Sequence, residues 1–371
     1  MRLPQHLINS PFFALSSPEE VASALDIPVE SDEIKQMRRL ASAGLPPVTS
    51  VDALAVMFGI NPGIIWSFIH RPGRHYRIYE IPKGKSVRKI ASPRVGLKII
   101  QSWIGYHLSR AVQLPPHVFG FVPKLSHIDA AFVHRNAQWA YSVDIENFFG
   151  TTPSLPVKFG LTTLGYSAAA AEIIFRLSSI DGHLAQGSPM SPVLSNLSFL
   201  QMDSHLAELA SRYECQLSRY ADDIVFSGQI MAPAELPASV KSIFLSSPWN
   251  LAAGKERLEP IKGRIKVHGL IVNRENLRLT KGYRNKVRAY RHILAKGEQI
   301  RDHAILSGHV HYHDHVSAKL ASLVVDPPQQ IPFNYPEFSL PATVPTPQDG
   351  QKAGNWRGLL GSLARLLGKG S

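Results

Sequence analysis

Cysteine is nearly missing from this 371-residue chain, in which Cys215 stands alone. No internal disulfide and no Cys-rich zinc module can form, Cys215 is expected as a small core residue, and a reducing cytoplasmic compartment is the natural one. Long apolar runs are missing too. No stretch approaches the roughly twenty apolar residues that cross a bilayer, and Pro4 and Pro11 interrupt the few apolar residues near the N-terminus. A soluble protein with no membrane partner is expected. Acidic residues are scarce beside basic ones, 28 against 40, which leaves a net charge of +12. Such an excess favours a polyanionic partner. It is also concentrated: residues 255–301 hold fourteen Lys/Arg against four Asp/Glu, and residues 71–98 hold nine against one.

Residues 1–75 read as a helical region punctuated by Pro46-Pro47. Within it Val51, Leu54, Ala55 and Phe58 have the spacing of one helix face. Residues 76–81 alternate like a strand, Pro82-Lys83-Gly84-Lys85 reads as a turn, and residues 88–91 as the returning strand. The first basic tract therefore lies on a hairpin. A helix is predicted over 97–108. Further on, short strand-like and helical runs alternate, which points to α+β or α/β architecture. Residues 139–143 form an apolar strand ending at Asp144. Residues 217–220 and 224–226 are strands separated by Ala221-Asp222-Asp223, a hairpin signature. Another strand is expected over 267–272, and a helix with a dense basic face over 281–296.

Seven prolines between residues 326 and 347 mark an extended linker. Beyond it Trp356, Leu359, Leu360, Leu363, Leu366 and Leu367 fall on one side of an amphipathic helix, a pattern that usually docks on protein. His309, His311, His313 and His315 alternate, which on a strand would gather their rings on one side. A helix is expected there and would scatter them, so RNA contact by one or two of them is favoured over a zinc site.

The strongest constellation is Asp144 at a strand end with Asp222 and Asp223 at a hairpin tip. Carboxylates brought together repel; two unit charges about 4 Å apart at an effective dielectric near 20 interact by roughly 4 kcal/mol. Such a group persists when cations sit among the acids. Hard divalent ions suit oxygen ligands, and magnesium is the usual one where the substrate brings phosphates. Two ions can stabilise both the attacking and the leaving oxygen of a phosphoryl displacement. Any one of these acids could equally decorate a turn, where Asp is common.

Their context points elsewhere. Tyr220-Ala221-Asp222-Asp223, preceded by Ser142-Val143-Asp144-Ile145-Glu146-Asn147-Phe148-Phe149, resembles the catalytic palm of reverse transcriptases. Between them Gln186-Gly187-Ser188-Pro189-Met190-Ser191-Pro192 resembles that family's nucleotide- and template-contacting segment. The likeness extends over roughly residues 50–320, and its finer features look like the bacterial retron type. His117-Val118-Phe119-Gly120-Phe121, followed by Ala130, Ala131 and His134, resembles the retron Asn-Ala-x-x-His element, with Ala130 where Asn is expected. Val267-His268-Gly269 resembles the retron Val-Thr-Gly triplet, with His in place of Thr.

The resemblance implies an α+β right-hand polymerase with fingers, an RRM-like palm and a helical thumb. Residues 76–273 would form interleaved fingers and palm, 274–322 the thumb, 323–350 the Pro-rich linker and 351–371 the C-terminal helix. It implies two Mg²⁺ ions held by Asp144, Asp222 and the Ile145 carbonyl, with Asp223 beside them. Arg88 would contact the triphosphate of the incoming dNTP, with Lys83 and Lys85 as further candidates, and Lys255 would protonate the leaving pyrophosphate. Phe149 stands at the steric gate, with Phe148 in the palm core, while Gln186, Gly187 and Tyr220 border the nucleotide. His134 and His268 are implied to meet nucleic acid. So are Lys281, Arg284, Lys286, Arg288 and Arg291, of which Arg284, Arg288 and Arg291 share a helix face suited to phosphates.

The implied activity is an RNA-directed DNA polymerase that copies a dedicated structured non-coding RNA into branched or RNA-linked single-stranded DNA. Its partners would be that RNA, the RNA–DNA hybrid, dNTPs and an effector protein in antiphage defence. The alternatives are another defence reverse transcriptase with a different template or untemplated synthesis, a group II intron-like reverse transcriptase, and an inactive RNA-binding scaffold.

Overall fold

The computed structural model describes residues 3–84, 86–259, 263–296, 302–325 and 332–336. Five short helices come first: α1 (Gln5–Asn9), α2 (Pro18–Leu25), α3 (Asp32–Ser42), α4 (Val51–Phe58) and α5 (Pro62–His70). The side chains of Ser17, Ser31, Ser50 and Asn61 accept backbone N–H groups of the first turn of α2 to α5, and Pro18 and Pro62 open their helices. These are the usual means of satisfying a helix start. A hairpin of β1 (Tyr76–Lys83) and β2 (Ser86–Pro93) follows, paired from Tyr76↔Pro93 to Lys83↔Ser86, and leads into α6 (Val95–Ala111).

α7 (His127–Val133) starts at a capping box in which Ser126 and Asp129 satisfy each other's backbone donors. Then come β3 (Trp139–Asp144), α8 (Phe148–Thr151), α9 (Ser154–Thr163), α10 (Ala168–Ser178), β4 (Ser179–Ile180), β5 (His183–Leu184) and α11 (Ser191–Arg212). β6 (Gln216–Tyr220) and β7 (Asp223–Gly228) form the second hairpin, before α12 (Leu236–Leu245) and β8 (Arg257–Glu259). The chain continues through β9 (Lys266–Val267), β10 (Leu270–Ile271) and β11 (Arg278–Leu279) into α13 (Lys281–Ala295) and α14 (His303–Val325).

The central sheet has the order β6-β7-β3-β8, antiparallel throughout. Alternation along its strands sends Trp139, Tyr141, Val143, Ile224 and Phe226 into one apolar cluster with α11 and α12. Ala140 and Val225 point the other way, into a cluster shared with α7, β9 to β11 and α14. A third cluster joins the N-terminal helices to α6, α9, α10 and the first half of α11. Residues 1–75 thus share one core with later helices and do not stand apart from them.

Two expectations are revised. The single strand over 267–272 is a tight hairpin: His268 and Gly269 both have positive φ, +46° and +89°, and turn β9 back onto β10. A run of β-formers hid a two-residue turn whose one signal was Gly269. The last thumb helix runs to Val325, three residues past the expected boundary at 322, and residues 332–336 are the described part of the linker segment. The amphipathic helix expected over 351–371 lies outside the described residues.

Candidate active site

Asp144 is the last residue of β3 and pairs in register with Asp223, the first of β7. Between the strands the Ile145 N–H donates to the Asp222 carbonyl at 2.8 Å, closing the sheet end over the turn. Direct pairing puts the Asp144 and Asp223 side chains on the same sheet face, and the β6 partner of Asp223, Tyr220, shares it. Carboxylates 79 residues apart in sequence therefore meet at one strand end.

Nitrogen-bearing side chains lie against them. Lys255 Nζ donates to Asp144 Oδ1 at 2.5 Å, and His268 Nδ1 lies 3.1 Å from Asp223 Oδ2. The His268 ring is nearly buried, packs 5.6 Å from the Tyr220 ring, and leaves its Nε2 without a partner among the described residues. Asp144's own carbonyl accepts from Ala252 N–H at 2.7 Å. Ile145 is therefore the next main-chain carbonyl at the strand end.

The donor set fits hard divalent cations: it is built of carboxylate and carbonyl oxygens, and an ammonium already holds a positive charge against Asp144. Among the described residues no group of three ligating side chains closes on a point. Magnesium is usually bound by one or two carboxylates with positions left for water and phosphate, and this open arrangement suits it.

The β1–β2 hairpin reaches this centre through its second strand. Ala91 N–H donates to the Gln186 carbonyl at 2.8 Å, and Gly187, at φ +136°, lies so close that a Cβ would stand 2.5 Å from the Ala91 oxygen. Only glycine fits there. Arg88, half-buried on β2, faces Ile81 across the hairpin, and Lys83 closes β1; Lys85 is outside the described residues. Phe148 is buried in the palm cluster, whereas Phe149 is half-exposed and packs 5.7 Å from Phe121.

Lys281, Lys286 and Arg288 are exposed on α13, and Arg284 is half-buried with its Nε unpartnered among the described residues. Arg291 is exposed but ion-paired to Asp314 of α14. An acid on the neighbouring helix, 23 residues on, thus balances this end of the basic face.

His134 is also corrected. It has no accessible surface, and its two ring nitrogens each lie 2.7 Å from a serine hydroxyl, Ser218 on β6 and Ser227 on β7. It cannot touch nucleic acid and instead fastens α7 to the base of the catalytic hairpin. Sequence inspection missed three partners of the site: His127, whose ring meets Tyr220; Tyr312, whose hydroxyl lies 2.8 Å from His127 Nε2; and Arg219. Only Arg219, a charge in the strand that leads into the Asp222-Asp223 turn, left a signal.

Residues 81–280 match the family described as reverse transcriptase (RNA-dependent DNA polymerase). Among curated proteins the chain is 29% identical over 296 residues to the retron Mx65 reverse transcriptase of Myxococcus xanthus, across 73% of this chain and 69% of that protein. It is 25% identical over 274 residues to the retron Ec86 reverse transcriptase of Escherichia coli, across 73% and 86%. Among solved structures it is similar to telomerase from Candida albicans in complex with a TWJ fragment of telomeric RNA, at 10% identity and a TM-score of 0.42. That likeness covers 71% of this chain and 61% of the telomerase chain.

Proposed function

The chain belongs to the reverse transcriptase family, and from that premise we propose that it is a retron-type enzyme copying a dedicated structured RNA into RNA-linked single-stranded DNA. As a member of that family it is an RNA-directed DNA polymerase with the α+β right-hand fold. The observation that carries the mechanism is the register pair Asp144↔Asp223, with Asp222 in the turn beside it.

Reverse transcriptases generally use divalent metal ions. Here Asp144, Asp222 and the Ile145 carbonyl would hold two, with magnesium the fitting element and Asp223 adjusting the field. When bound, such ions supply charge that acidifies the primer hydroxyl and neutralises the departing pyrophosphate. The protein's own groups do the rest. Lys255 reaches Asp144 and would give a proton to the departing pyrophosphate. Arg88 and Lys83, on the hairpin docked at Gln186-Gly187, would approach the triphosphate, and Lys85, which follows Gly84 in the sequence, would do the same. Half-exposed Phe149, just past the strand end, would collide with a ribose 2′-hydroxyl. Exposed Lys281, Lys286 and Arg288, with Arg284 behind them, suit the phosphates of an RNA–DNA hybrid, which is read by shape because its deep major groove resists side chains.

The retron relatives support a dedicated RNA, and a role in antiphage defence with an effector protein belongs to the same proposal. Sequencing the nucleic acid that co-purifies with the protein tests it. The expected species is short DNA that survives RNase and is joined to one recurrent RNA. Homopolymer, or DNA copied from unrelated transcripts, would overturn the retron assignment.

A further inference from the structure

Directly beneath the catalytic turn lies a fully buried ion pair that the chemistry above does not use. Arg219, on the opposite face of β6 from Tyr220, has no accessible surface, and neither has Asp203 on α11. Arg219 Nε donates to Asp203 Oδ1 at 2.7 Å and Nη2 to Asp203 Oδ2 at 2.6 Å. Its Nη1 donates to Asn196 Oδ1 at 3.0 Å and to the backbone carbonyl of Ala221 at 3.2 Å. Asn196 in turn donates to the Gly120 carbonyl at 3.0 Å, and His117 Nε2 lies 3.4 Å from Asp203.

Stability does not explain the pair. Replacing a buried ion pair by apolar residues of similar volume is often neutral or stabilising, because both charges escape desolvation. The contact an apolar pair could not supply is the one to Ala221. That residue has φ +60°, a left-handed conformation disfavoured by its Cβ, and it immediately precedes Asp222. The main chain is gripped as well. Arg219 N–H donates to the His117 carbonyl at 2.7 Å, Phe119 N–H donates to the Arg219 carbonyl at 2.9 Å, and a Cβ on Gly120 would stand 2.1 Å from Ala221 N. Burial alone would raise the Asp203 carboxyl, but the Arg219 guanidinium and His117 hold it below the ordinary range, so it stays ionised as the fork requires.

We propose that Arg219, braced by Asp203 and Asn196, is a positioning residue of the polymerase centre that holds the strained Ala221 peptide and so aims Asp222 and Asp223. This rests on the assignment of those two acids to the active site. Lysine could not substitute, since one ammonium cannot reach both the Asp203 carboxylate and the Ala221 carbonyl in fork geometry.

The test is the double variant Arg219→Met/Asp203→Leu, which removes both charges together. Its unfolding midpoint and primer–template affinity should stay close to wild type. Single-nucleotide incorporation should fall about 100-fold, the size of effect that an ångström-scale misplacement produces, and half-saturation should need more Mg²⁺. Adding Ala221→Gly, which tolerates positive φ, should return part of that loss. If the double variant fails to fold, Asp203→Asn, which keeps the volume and loosens the fork, should show the same split between binding and turnover. Wild-type incorporation and Mg²⁺ dependence in the folded variant would overturn the proposal. Asp222→Asn run alongside separates the two claims. Extension that persists in Asp222→Asn overturns the site assignment itself; extension lost there but intact in the double variant overturns only the role of Arg219.

Discussion

His134 shows how a single side chain can serve the site without touching substrate. Burial holds its imidazole well below the ordinary range, at about 3, with His268 adding to the effect. The neutral ring donates from one nitrogen and accepts at the other, which is what two serine hydroxyls require. The sign of the linkage follows. The unfolded chain takes up a proton below about pH 6.5 that the folded chain refuses, so this residue's contribution is complete above that pH and is lost on acidification. Between pH 6.5 and 5 the loss is about 2 kcal/mol. His134→Asn should flatten the stability profile by about that amount when unfolding is followed in urea at pH 7.5 and pH 5. Equal pH dependence in both proteins would remove the imidazole from this role. In the sequence His134 was visible only as part of a motif, because nothing local distinguishes a histidine that faces serines from one that faces RNA.

At the scale of elements, α14 is fastened to α7 at two points. His127 Nε2 lies 2.8 Å from the Tyr312 hydroxyl, and Lys319 Nζ lies 2.8 Å from Asp129 Oδ1, a carboxylate that also caps α7. The rings of His127, Tyr220 and His268 then lead from this junction to Asp223. The docking of α14 and the hairpin that carries Asp223 share one set of contacts. Tyr312→Phe with Lys319→Met removes two hydrogen bonds worth about 1 kcal/mol each, making the docked thumb roughly thirtyfold less favoured. Products in a single-encounter extension assay should shorten, while addition of the first nucleotide is retained. Unchanged product length would show that the junction does not govern the thumb. Elements of this kind were legible where a period was long or a turn well marked: the hairpin around Pro82-Lys83-Gly84-Lys85, the strand ending at Asp144 and the basic helix from Lys281 all stand where periodicity put them. The turn at His268-Gly269 was not, because Val, Ile and Leu on both sides read as one continuous strand. The partnership of Arg291 with Asp314 was not either, since pairing between helices depends on how they pack.

For the whole molecule, the acidic trio could be read as a site only because three motifs occur in one order along the chain. The gathering itself is a property of the sheet: β3 lies between β7 and β8, and this order brings residue 144 against residue 223. What surrounds the trio was hidden for the same reason. Arg219 and Asp203 meet only when α11 packs across the back of that sheet, and no described helix is long and apolar enough to cross a membrane and compete for those apolar faces. The basic excess belongs to this scale too, since the exposed lysines and arginines of α13 offer positive charge to a polyanion.

The most direct measurement is single-turnover primer extension on an RNA template with dNTPs and Mg²⁺, comparing wild type with Asp144→Asn and Asp222→Asn. Each variant should bind primer–template as the wild type does and extend it about a thousandfold more slowly, a loss of about 4 kcal/mol in transition-state stabilisation. Extension at the wild-type rate by either variant would contradict the account.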